Sequence, residues 1–136
     1  RDKRMNHVDQ DELAKRAVEI AEDLPDFFGF KVLSKSLQEG FKVIQFERRK
    51  FLRRNTWYLA VSKPECIHDL VGYTGDPKKL ILFSTGPIPK EFQEHLFVWF
   101  DLKNLKCSDI SDSFAFEIWS FLRRTWCITC DVTAHS

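Results

Sequence analysis

The chain has no stretch approaching the ~20 consecutive apolar residues of a membrane span, and no cleavable leader is read at its start. Cysteine is scarce: Cys66, Cys107, Cys127 and Cys130 are too few in 136 residues for a disulfide-dense secreted scaffold. Asn-x-Ser/Thr sequons are lacking too, since Asn55 is followed by Thr56 and Trp57, and Asn6 and Asn104 fail likewise. Together these absences point to an intracellular protein, in cytoplasm or nucleus, with no membrane association. Methionine occurs only at Met5 and the first residue is Arg1, which reads as a piece of a longer protein.

Catalytic signatures are missing as well. There is no GxSxG elbow, P-loop, GxGxxG or HExxH. The best acid–base set is Asp76 with Asp101 and Lys103, types that would hold Mg²⁺ and orient a water but that also simply end strands. Cys127-x-x-Cys130 with His135 resembles half of a metal knuckle, and Cys66-x-His68 adds two donor types. One CxxC pair is a weak signal, and free cysteines are commonly buried as small hydrophobes. The expectation is a non-enzymatic protein with no metal, cofactor or small-molecule substrate.

Against these gaps stands an excess of rings: 13 phenylalanines and 4 tryptophans. Each large aromatic buries ~150–250 Å², so a core forms without disulfides or metal. Nine of these rings fall in the C-terminal third: Phe92, Phe97, Trp99, Phe100, Phe114, Phe116, Trp119, Phe121 and Trp126. A single small core is expected to use about half of them, leaving the rest as interface anchors.

The net charge of +1 hides an uneven distribution. Residues 1–26 sum to −3, residues 27–63 to +7 and residues 64–136 to −3. The basic island is densest at Arg48-Arg49-Lys50-Phe51-Leu52-Arg53-Arg54.

The polar residues 1–8 are expected to be flexible, followed by a single domain over 9–136. Leu13, Ala17, Ile20, Ala21 and Leu24 recur at helical spacing after a candidate N-cap at Asp9, and Pro25 is expected to stop that helix. Gly29-Phe30-Lys31-Val32-Leu33 is echoed by Gly40-Phe41-Lys42-Val43-Ile44, two strands joined by a loop of five to seven residues within 34–40. Further strands are expected at 56–62, 80–84 and 96–102, the last apolar on both faces and so central, with helical turns near 90–95. A final helix spans roughly 111–125, and residues 127–136 are β-prone. The apolar residues of that helix wrap nearly the whole cylinder, so it lies deep or presents a ring-rich face to another chain.

This order defines an α+β domain: an antiparallel sheet of about five strands flanked by N-terminal and C-terminal helices in a two-layer sandwich. The alternative is a small barrel capped by the C-terminal helix, like pleckstrin-homology domains in architecture only. Two functions from different classes follow. The first is docking or dimerisation through Phe97, Trp99, Phe116, Trp119, Phe121 and Trp126, with another protein or a second copy as partner. The second is RNA or DNA binding by Arg48, Arg49, Lys50, Arg53, Arg54 and Trp57, with arginines on phosphates and a ring against a base. The mundane counterpart is a solvated hairpin whose arginines pair with the acidic first helix.

Overall fold

The computed structural model describes residues 10–126. Helix α1 (Gln10–Phe28) leads into a meander of β1 (Lys31–Gln38), β2 (Phe41–Lys50) and β3 (Arg53–Ser62). Helical turns over 64–73 and 77–79, among them α2 (Ile67–Leu70), lead to β4 (Leu80–Ser84). Then come α3 (Lys90–Gln93), β5 (Val98–Asp101), β6 (Lys106–Cys107) and α4 (Ser113–Trp126). The candidate N-cap Asp9, the polar residues 1–8 and the β-prone tail 127–136 lie outside the described residues.

In α1, Ala17, Ile20, Ala21 and Leu24 form the buried stripe that their spacing predicts. Pro25 does not stop this helix, which runs one further turn to Phe28. The stop is Gly29, at φ +73°. Its N–H donates to the Asp26 carbonyl (3.2 Å) and the Phe30 N–H donates to the Pro25 carbonyl (2.8 Å), the paired bonds of a Schellman cap. Proline brings no N–H to the helix, but here its carbonyl anchors the cap and the residue is buried.

The expected loop over 34–40 is mostly strand. β1 continues to Gln38, and Glu39–Gly40 alone make the turn, with Gly40 at φ +98°. β1 is an edge strand exposed on both faces, so no alternating pattern marks it in the sequence.

The sheet has six strands in the order β1-β2-β3-β4-β5-β6. It is open, so the barrel alternative is not formed. β1–β2, β2–β3 and β5–β6 are antiparallel, but β3–β4 and β4–β5 are parallel, which corrects the wholly antiparallel expectation. Parallel neighbours need crossovers, and residues 63–79 and 85–97 supply them as short helical turns rather than long helices. These turns cover the sheet face opposite α1 and α4. One core joins α1 and α4 to Phe46, Trp57, Leu59, Ile81, Phe83, Val98 and Phe100. The other joins Ile67, Leu70 and Ile88 to Phe41, Val43, Leu80, Leu82 and Trp99. β4 and β5 are buried along their whole length because both faces are packed. The two-layer sandwich therefore gains a third, thinner layer.

α4 begins where Asp112 Oδ1 accepts the Phe114 N–H (2.8 Å). Its buried set is Phe114, Ala115, Ile118, Phe121, Leu122 and Trp126.

Candidate nucleic-acid interface

β2 and β3 pair over their full length, from Phe41 opposite Ser62 to Lys50 opposite Arg53. β1 accompanies β2 only as far as Lys31 opposite Glu47, so residues 48–55 continue as a two-stranded ribbon on that side. Opposed residues share a face. Arg48, Lys50 and Arg53 lie on the helix-bearing side with Phe46 and Trp57, while Arg49 and Arg54 face each other on the other side.

The ribbon ends in a two-residue turn, Phe51–Leu52. Phe51 is 88% exposed and Leu52 100% exposed. Tight hairpin turns require positive φ, normally supplied by glycine or asparagine. Here Phe51 takes φ +57°, a conformation that costs a bulky residue about 1–2 kcal/mol. A bulky residue poorly suited to that conformation occupies the turn and buries almost nothing there.

Arg49, Lys50, Arg53 and Arg54 are exposed, and among the described residues none of them, nor Arg48, is in an ion pair. Among the described residues, no pairing of these cations with the acidic first helix occurs. The α1 carboxylates instead meet Lys42 (from Glu22) and Lys63 (from Asp11, 3.5 Å), both beyond the ribbon. Lys42 draws the Glu22 carboxyl below its usual range by hydrogen bonding to it.

At the ribbon's base lies a cleft of about 430 Å³ lined by Phe28, Gly29, Phe30, Lys31, Glu47, Arg49 and Arg54. Three cations and one carboxylate there form a lining suited to phosphate, while the Phe30 ring is already stacked between Phe28 (5.4 Å) and Phe46 (4.9 Å).

Two expected binders are absorbed by the core. Trp57 is only 3% exposed, enclosed by Phe97 (4.8 Å) and Phe114 (5.1 Å) with Lys79 over its ring (4.6 Å), so it cannot stack a base. Arg48 is half-buried with its guanidinium 3.8 Å from the Phe114 ring centre, which ties the ribbon to α4. Sequence reasoning missed Phe51, Leu52 and Lys31 as members of the candidate surface. The signal for the first two was present, an apolar pair between basic pairs at a turn.

The ring patch proposed for docking is largely dismantled. Phe121 and Trp126 lie in the core under α1, and Trp99 is buried on the opposite sheet face. Phe97 is half-buried against Trp57 and Phe114. What remains outside is Phe116, 49% exposed, 5.4 Å from the half-buried Trp119, on which Arg123 rests at 4.7 Å.

Asp76 and Asp101 are not brought together, since they stand before β4 and at the end of its parallel neighbour β5. Each is occupied locally. Asp76 accepts the Lys78 N–H, and Asp101 accepts the Lys103 and Asn104 N–H groups and the Asn104 amide. Cys127, Cys130 and His135 lie outside the described residues. Burial raises the pKa of the Cys66 thiol. Among the described residues no helix is long and apolar enough to cross a membrane.

The chain matches no family model, no curated protein and no solved structure.

Proposed function

We propose that the domain is a non-enzymatic nucleic-acid-binding module of the cell interior, working through the β2–β3 ribbon. One observation carries this: four exposed cations, Arg49, Lys50, Arg53 and Arg54, are held on one hairpin with no carboxylate paired to them among the described residues. Uncompensated cations attract a polyanion, and releasing its counterions drives association. Three of the four are arginines, whose planar fork suits phosphate oxygens and base edges.

A negatively charged bilayer would also attract a basic ribbon with an apolar tip. Phe51 and Leu52 together offer about 3–6 kcal/mol of apolar transfer. That is less than one fatty-acyl chain, itself only a marginal anchor. The three arginines of the ribbon, whose planar forks match phosphates and base edges, favour nucleic acid.

Fluorescence anisotropy with a labelled 20-nucleotide strand tests the proposal. Binding is expected to weaken at least tenfold in the Arg53→Glu/Arg54→Glu variant. Stronger binding to phosphatidylserine vesicles than to the strand, at equal phosphate, contradicts it.

A second reading, docking of a protein or of a second copy, is favoured by the exposed Phe116 beside Trp119. Light scattering of the wild type and Phe116→Ala tests it. A dimer that the substitution dissociates supports this reading, and a wild-type monomer removes the self-association form.

A further inference from the structure

We infer that Phe51 is a base-stacking residue and that the ribbon selects nucleic acid with unpaired bases. The inference rests on the nucleic-acid reading above and deepens it.

Three observations converge on the tip. Phe51 holds a backbone conformation that glycine would take freely, at φ +57°. Its ring is 88% exposed and contributes little to packing. Lys50 and Arg53 face each other directly behind it, and Arg49 and Arg54 stand one step further back. A structural turn gains nothing from a ring in that place. A ring at the end of a basic ribbon is instead positioned to meet a base whose phosphates lie along the cations behind it.

The magnitudes choose between unpaired and paired substrates. Stacking one base on an aromatic side chain is worth about 5- to 150-fold in affinity. Wedging the same ring into a duplex first requires two base pairs to unstack, which costs as much as the contact returns unless bending supplies further contacts. A single ring with one leucine beside it favours a strand whose bases are already free. The cleft at the ribbon's base, with Lys31, Arg49 and Arg54 around it, extends the same cationic surface away from the tip.

The experiment compares three probes of equal length by fluorescence anisotropy: a mixed-sequence 20-nucleotide DNA strand, its blunt duplex, and a 20-unit abasic sugar–phosphate strand. The wild type is expected to bind the base-bearing strand about tenfold or more tighter than the abasic one. Phe51→Gly should erase most of that difference while leaving the salt dependence unchanged, and Phe51→Trp should restore it. Phe51→Gly also relieves the turn, so a melting temperature equal to or above wild type shows that the variant is folded. Equal binding of base-bearing and abasic strands by the wild type overturns the stacking inference while leaving nucleic-acid binding intact. So does duplex bound more tightly than single strand. Failure to bind any of the three probes overturns both.

Discussion

Helix α4 and the ribbon tip treat aromatic residues in opposite ways. α4 carries Phe114, Phe116, Trp119, Phe121 and Trp126, and only Phe116 among them is exposed. The tip carries one ring, Phe51, and presents nearly all of it. Ring number therefore says little about which rings meet a partner. α4 can hide its rings because it packs lengthwise against α1 and the sheet. Phe27, Phe28 and Phe30 of α1 and its cap reach over to receive Phe114 and Phe121, with centroids 5.1–6.2 Å apart. A two-residue turn beyond the reach of both helices has no such cover, and a ring there stays out.

The sharpest way to break this contrast is inside the core. Phe114 meets Phe28, Phe30, Trp57 and Phe97, and Arg48 rests on its ring. Phe114→Ala is expected to cost about 3–5 kcal/mol, read from denaturant unfolding. A loss below 1 kcal/mol would mean that the rings of α4 are not the core they form here. At the ribbon, Arg53→Glu/Arg54→Glu should leave stability within about 0.5 kcal/mol of wild type while removing most of the binding.

The two hairpin turns sharpen the comparison further. Gly40 sits at φ +98°, and a Cβ there would overlap Cys66 Sγ, so Gly40→Ala should destabilise by about 1–3 kcal/mol. Phe51→Gly should do the reverse, stabilising by about 0.5 kcal/mol as relief of the turn outweighs the greater freedom of glycine in the unfolded chain. A rise in melting temperature with a fall in affinity would mark Phe51 as kept for binding.

The smallest effect concerns pH. Because Lys42 lowers the Glu22 pKa in the folded state, the pair stabilises the protein above the ordinary glutamate pKa of about 4.3. That contribution is lost as pH falls through the lowered value. Glu22→Gln should flatten this part of the acid limb in thermal melts across pH 3–6, by less than about 1 kcal/mol because the pair is partly exposed.

Much of the fold was legible where one periodicity dominated. The stripe of α1, the run Leu80–Ser84 and the wholly apolar Val98–Phe100 all sit as their spacing predicts. What escaped was set by tertiary context. Pro25 is carried inside a helix by the cap behind it, and β1 is an edge strand without a buried face to pattern it. The parallel pairs depend on crossovers too short to read as helices. Of the site, the cations were legible in the charge run. The fate of Trp57 was not, because only the folded chain brings Phe97, Phe114 and Lys79 onto its ring. The string Phe-Leu-Arg-Arg occurs twice, at 51–54 and at 121–124, and illustrates the same point. At 51–54 its ring, leucine and charges are outside, whereas at 121–124 Phe121 and Leu122 are sealed and only the arginines emerge.

The most direct test is the salt dependence of binding to a single strand, measured for wild type and for Arg53→Ala/Arg54→Ala. Four engaged cations predict a slope of log K against log salt near about −3, falling in magnitude by about 1.4 in the double variant. A slope near zero, or one that the double substitution leaves unchanged, would contradict binding by the ribbon.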